Sequence, residues 1–127
     1  MADTVLDASA LLAALLLEPG HEFVREHGRN SVISTVNLSE AYARGQERGA
    51  SSEAVATVLG LMSVEVRAFD HEDAQQAAAL RPPTRRLGIS FADRACLALG
   101  QRLALPVLTG DRRWAELDIG VEVRLIR

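Results

Sequence analysis

The sequence predicts an α/β protein built on a central, mainly parallel sheet with helices on both faces. Three observations carry this. Short β-like runs alternate with helical stretches along the whole chain, which calls for crossover connections and parallel pairing. A length of 127 residues at 48% apolar and 24% charged suits one domain with a real core and is too short for two. No internal repeat, low-complexity tract or linker interrupts the pattern, so residues 1–127 are read as a single domain.

Element by element, Thr4 to Leu6 reads as a strand and Ser9 to Leu17 as a helix stopped by Pro19-Gly20. The apolar run from Ala8 to Leu17 is ten residues long, against the roughly 20 of a spanning helix. Acids, not bases, precede it (Asp3, Asp7), which argues against an export signal. It is expected to be a short buried helix, with no membrane association. His21 to His27 is a second helix ended by Gly28, and Ser31 to Ser34 (SVIS) a second strand. Asn37 to Arg48 and Ser52 to Met62 carry helical spacing, Val64 to Phe69 alternates like a strand, and Glu72 to Leu80 is an alanine-rich helix. Pro82-Pro83 is expected to open a polar loop to Gly88. Phe91 to Leu103 then reads as a helix, Pro106 to Thr109 as a strand, Arg113 to Leu117 as a short helical turn and Val121 to Ile126 as the last strand. Strand order stays open.

The composition excludes several chemistries. All 14 basic residues are arginine, and without lysine there is no phosphate-loop GK[ST], no Schiff base and no kinase strand lysine. A lone Cys96 excludes an intramolecular disulfide and a C-x-x-C pair and points to a reducing cytoplasm. The three histidines, His21, His27 and His71, share no metal-ligand spacing, which disfavours zinc.

Ligands of open parallel sheets bind beyond the carboxyl ends of the strands. Four acids fall there or close by: Asp7 after the first strand, Glu40 one turn into the helix after SVIS, Asp93 in the first turn of the helix at Phe91, and Asp111 after Val107-Leu108-Thr109-Gly110. Singly, each has a structural explanation. Asp7 and Asp111 read as N-caps, and Asn37-x-x-Glu40 and Ser90-x-x-Asp93 as capping boxes. Jointly they form a crowd of like charges that would protonate unless a cation were present. Carboxylates without thiolate or imidazole suit Mg²⁺ or Mn²⁺, ions whose commonest work is on phosphate esters.

A net charge of −3 seems to oppose a polyanionic substrate, but its distribution does not. Between Ala74 and Ala115 stand seven arginines and only two acids, Asp93 and Asp111. Two bound divalent ions would move the formal charge from −3 to +1. Arg85, Arg86, Arg112 and Arg113 read as phosphate contacts, whereas Arg102 reads as a solvated helix residue. Trp114 and Phe91 read as core-edge residues, so stacking platforms have no support.

Taken together, VLDASALLA, VNLSEAYAR, ISFADRACLALG and VLTGDRRWAEL resemble the four motif regions of the PIN-domain family, in particular the bacterial VapC-type toxins. The resemblance spans the whole chain. It implies a three-layer α/β/α sandwich and an Mg²⁺- or Mn²⁺-dependent endoribonuclease. It also implies Asp7, Glu40 and Asp93 as core acidic ligands, Asp111 as the more variable fourth, and Ser9 and Thr109 as hydroxyl residues near the site. It further implies a homodimer, a small antitoxin partner and a structured RNA substrate such as transfer or ribosomal RNA. Asp118 lies beyond the fourth motif and is read as a surface residue. Two other readings stand beside this one. A PIN-like module without chemistry could grip RNA or protein, and a phosphatase on a related scaffold would need a D-x-D pair that Asp7-Ala8-Ser9 lacks.

Overall fold

A computed structural model describes all of residues 1–127. Five strands, β1 (Thr4–Leu6), β2 (Ser31–Ser34), β3 (Glu65–Arg67), β4 (Val107–Thr109) and β5 (Val123–Leu125), form one sheet in the order β3-β2-β1-β4-β5. Every pairing is parallel. Seven helices accompany them: α1 (Ala8–Leu16), α2 (His21–His27), α3 (Thr35–Glu47), α4 (Ser52–Leu61), α5 (His71–Ala79), α6 (Arg81–Thr84) and α7 (Phe91–Leu103). The architecture is the expected three-layer sandwich.

Alternation along the central strands builds two cores. Leu6, Ile33 and Leu108 face α1 to α4 and pack with Leu11, Leu12, Val24 and Val55. Val5, Val32 and Val107 face the other way, against Leu97, Leu99, Ala77 and Trp114. Each such aliphatic side chain contributes about 1.5–3 kcal/mol by leaving water, so three-residue strands suffice when both faces are covered. Where α7 crosses β4 the layers touch closely, because a Cβ on Gly100 would lie 2.6 Å from Val107 Cγ2.

Several expectations are corrected. The segment after Pro82-Pro83 is not a loop: α6 begins at Arg81, and a 3-10 turn follows over Arg85–Leu87. Both prolines sit in the first turn of α6, where an N–H is not needed, so they start a helix as readily as they end one. The Thr84 hydroxyl donates to Leu80 O at 2.7 Å, closing the turn. Asn37 is not an N-cap. The helix begins earlier, at Thr35, with the Ser34 hydroxyl accepting from Val36 N. Trp114 is fully buried rather than at the core edge, and Phe91 is 51% exposed. β3 is an exposed edge strand whose Glu65 and Arg67 place charge on the open edge, a feature that discourages edge-to-edge pairing. Arg102 is not simply solvated, since it pairs with Asp70, Glu72 and Asp73 of α5 and its N-cap.

Candidate active site

The chain leaves β1 through α1 on one side of the sheet and enters β4 from α7 on the other, so the carboxyl ends of these neighbouring strands form the switch point of the topology. Asp7 lies there, 5% exposed. Its Oδ1 accepts from the Ser9 hydroxyl at 2.7 Å and from Ala10 N at 2.8 Å, the latter capping α1. Its Oδ2 accepts from the Thr109 hydroxyl at 2.6 Å. Ser9 and Thr109 in turn accept from Gly110 N and Asp111 N, at 2.8 and 3.0 Å. Two small hydroxyls thus lock the ends of β1 and β4 together around one carboxylate.

Burial outweighs these three donors. It pushes Asp7 up to about 6, with the nearby Asp93 adding to the rise. Asp93 is also raised, by burial and then by Asp111, against the opposing capping-box bonds with Ser90. Asp111 moves down instead, because Arg113 donates to its carboxylate from Nε and Nη2, the latter at 2.6 Å. Cys96, buried beneath the acids, is raised well above the usual thiol range by desolvation and by the charges of Asp7, Asp93 and Glu40.

Asp7, Glu40, Asp93 and Asp111 line one pocket of about 330 Å³ that has no hydrophobic wall residue. All four acids singled out in the sequence are therefore brought to one place. Ser9 shares the pocket, and Thr109 lies beneath it, fully buried. Asp118 is exposed and outside it. None of the four arginines read as phosphate contacts lines this pocket itself. Arg113 holds Asp111 and Leu87 O, and Arg112 donates to Arg127 O. Arg86 stands 3.8 Å from Glu116, and Arg85 lines a neighbouring pocket.

Two residues that line the site, Arg44 and Arg127, were not singled out in the sequence, and Asn37, expected only as a cap, has a different role. Asn37 is buried and donates from Nδ2 to Ala92 O at 2.9 Å, tying α3, which carries Glu40, to the first turn of α7, which carries Asp93. Arg44, one turn beyond Glu40, and Arg127 both line the acidic pocket. Arg127 lies across Gly110, where a Cβ would come 2.7 Å from its Nη2, and it also donates to Pro19 O. The i, i+4 spacing of Glu40 and Arg44 could have flagged the first arginine; nothing local flags Arg127.

The family model for the PIN domain matches residues 4–120. The chain belongs to the PIN-domain family. No curated protein matches it. Among solved structures, the PIN chain is similar to a chain of the DNA-bound VapBC complex from Salmonella typhimurium, at 21% identity and a TM-score of 0.76 over the full length of both. It is also similar to VapBC-5 from Mycobacterium tuberculosis, of the VapBC family of toxin-antitoxin systems (26%, TM-score 0.60, 100% and 99% covered). A third is VapC20 from the same organism, a Sarcin-Ricin loop cleaving toxin (14%, TM-score 0.69, 94% and 98% covered).

The donor set of the PIN pocket fits a hard divalent cation, since its four carboxylates and two serine hydroxyls offer only oxygen. The uncompensated rise of Asp7 and Asp93 is what such an ion would reverse. As the side chains stand, no three acidic groups form a cage for a metal: Asp111 is turned onto Arg113 and Asp93 caps its own helix. That arrangement suits an ion held by one or two carboxylates and otherwise by water, as Mg²⁺ usually is.

Proposed function

We propose that this PIN domain is an Mg²⁺- or Mn²⁺-dependent endoribonuclease, the toxin of a toxin–antitoxin pair, hydrolysing phosphodiester bonds of cellular RNA such as transfer or ribosomal RNA. The observation that carries the reading is the all-polar pocket at the switch point, into which four separate elements deliver Asp7, Glu40, Asp93 and Asp111. These four would hold the metal, one or two of them directly and the others through its waters, and when bound it supplies charge neutralisation and an activated water. Asp7 is kept in one orientation by Ser9, Ala10 and Thr109 and is the fixed point of the set. Glu40 accepts no hydrogen bond within the fold and is free to turn toward an ion or a water. Arg44 and Arg127, at the pocket wall, are placed to hold the phosphate that the acids alone would repel. No histidine or lysine stands there to act as general base.

The similar toxin-antitoxin structures support a small antitoxin as partner. A homodimer fits the exposed Leu17 and Leu61, which offer apolar surface for association, and a cytoplasmic location fits the single, reduced Cys96. A catalytically inactive binding module is disfavoured by the retention of every acid in one pocket. The test is cleavage of total RNA by purified protein with Mg²⁺, Mn²⁺ or chelator. Metal-dependent cutting that disappears in Asp7→Ala and Asp93→Ala is expected. Intact RNA, or equal cutting by the variants, refutes the proposal.

A further inference from the structure

Beside the acidic pocket lies a second one of about 350 Å³, within the size range of small-ligand sites. Its walls carry Arg81, Arg85, Arg94 and Phe91 and no acid. The two pockets share Ser90, the N-cap of α7, so they are contiguous along the rim. Arg94 is half-buried and fixed, donating from Nε to Ala77 O and from Nη1 to Ile89 O, both at 3.2 Å, which leaves its Nη2 without a partner in the fold. Arg81 and Arg85 stand exposed on α6 and the following turn, with no ion pair or hydrogen bond to hold them elsewhere. Phe91 is half exposed, and its edge-to-face contact with Phe69, centroids 5.5 Å apart, steadies the ring while leaving surface open.

From this juxtaposition we infer that the pocket is a nucleotide subsite for single-stranded RNA, with Arg81, Arg85 and Arg94 on the phosphate next to the scissile one and Phe91 stacked on its base. The inference rests on the ribonuclease reading of the acidic pocket and adds what that reading lacks, a place for the substrate to be held away from the carboxylates. Three arginines without a counter-charge attract a polyanion, and their planar forks match phosphate oxygens. A half-exposed aromatic at the mouth supplies the π-face that unpaired bases use, whatever their identity. Double-stranded RNA would not offer a base to Phe91, so the occupant is an unpaired segment: a loop, bulge or end.

The test uses a labelled eight-nucleotide RNA of mixed sequence and fluorescence anisotropy in Mg²⁺, with Asp93→Asn as the common cleavage-impaired parent. Replacing both Arg81 and Arg85 by Ala is expected to raise Kd about tenfold at moderate salt and to flatten the slope of log K against log salt by about 1.4, two single-strand phosphate contacts. Phe91→Ala is expected to raise Kd about five- to tenfold with the slope unchanged, and Phe91→Tyr to restore binding. Melting curves establish that each variant is folded. If the parent binds and the variants match it in Kd and slope, the subsite is refuted while the nuclease reading stands. If the parent binds no RNA even at low salt and the wild-type protein cuts none, both fall together.

Discussion

Replacing Asp7 by Asn should stabilise the metal-free protein. Its carboxyl sits at about 6 in the folded chain against an ordinary value of 3.8, so between those pH values the folded state holds a proton that the unfolded state has lost. Stability contributed by the protonated group is therefore fully present below about pH 4, declines as pH rises through 6 and is absent above. Two pH units correspond to about 3 kcal/mol as an upper bound at pH 7.5. Asparagine keeps an oxygen for Ser9 Oγ and Ala10 N but meets the Thr109 hydroxyl with an NH₂ group. That loss costs about 1 kcal/mol. The net expectation is a gain of about 1–2 kcal/mol, or a rise in Tm of roughly 5 °C for a domain of this size. Melting of both proteins from pH 4 to 8 in chelator measures it, and their difference isolates Asp7 from the other acids. Saturating Mg²⁺ should reverse the order, since a hundredfold excess over Kd adds about 2.7 kcal/mol to the wild type alone. An Asp7→Asn protein that melts below wild type in chelator at pH 7.5, or a difference that does not change with pH, would refute the reasoning.

Other consequences are open to measurement. Cys96 is fully buried with its thiol raised, so a thiol reagent should label it only on unfolding in guanidinium, and stoichiometric labelling of the native protein would contradict the packing. Gly100→Ala drives a methyl to within 2.6 Å of Val107 Cγ2 and should lose about 1–3 kcal/mol in urea denaturation despite the better helix propensity; no loss would mean that α7 and β4 are farther apart. Asn37→Ala removes the donor to Ala92 O and should lower stability by about 1–2 kcal/mol. It should also reduce metal-dependent cleavage by loosening Glu40 relative to Asp93, and activity unchanged at lowered stability would deny it that positioning role.

The central strands were legible because Val5, Val32 and Val107 alternate with Leu6, Ile33 and Leu108, a pattern set by two buried faces. Their order was not, because these short runs are interchangeable as sequence and only the crossovers distinguish them. Pro82-Pro83 misled for a local reason: proline breaks a helix from inside and begins one from its first turn, and the choice depends on whether Leu80 and Thr84 are buried, as both are. Asn37 misled in the same way. It and Ser34 are equally good caps by composition, and the burial of Asn37 against Ala92 decides between them. Arg127 reaches the pocket only because β5 lies beside β4 and Gly110 has no side chain, facts of the tertiary fold.

The two readings of the acids, structural cap or functional carboxylate, turn out not to compete. Asp7 accepts from Ala10 N, Asp93 from Ser90 N and Asp111 from Arg113 N, so three of the four are caps or capping-box partners. The same three line the polar pocket. A cap is a rigid mount: its hydrogen bond to the helix end restricts the rotamer of a short side chain and points it along the rim, where a cation would otherwise have to impose that order. The dipoles of the helix starts also supply positive potential that makes crowding carboxylates tolerable. Glu40 is the exception, longer and uncapped, and it lines the same pocket without a helix-end hydrogen bond to fix it. Capping at this rim therefore holds three carboxylates in fixed orientations, and the cost of burying charge there shows as the raised Asp7 and Asp93.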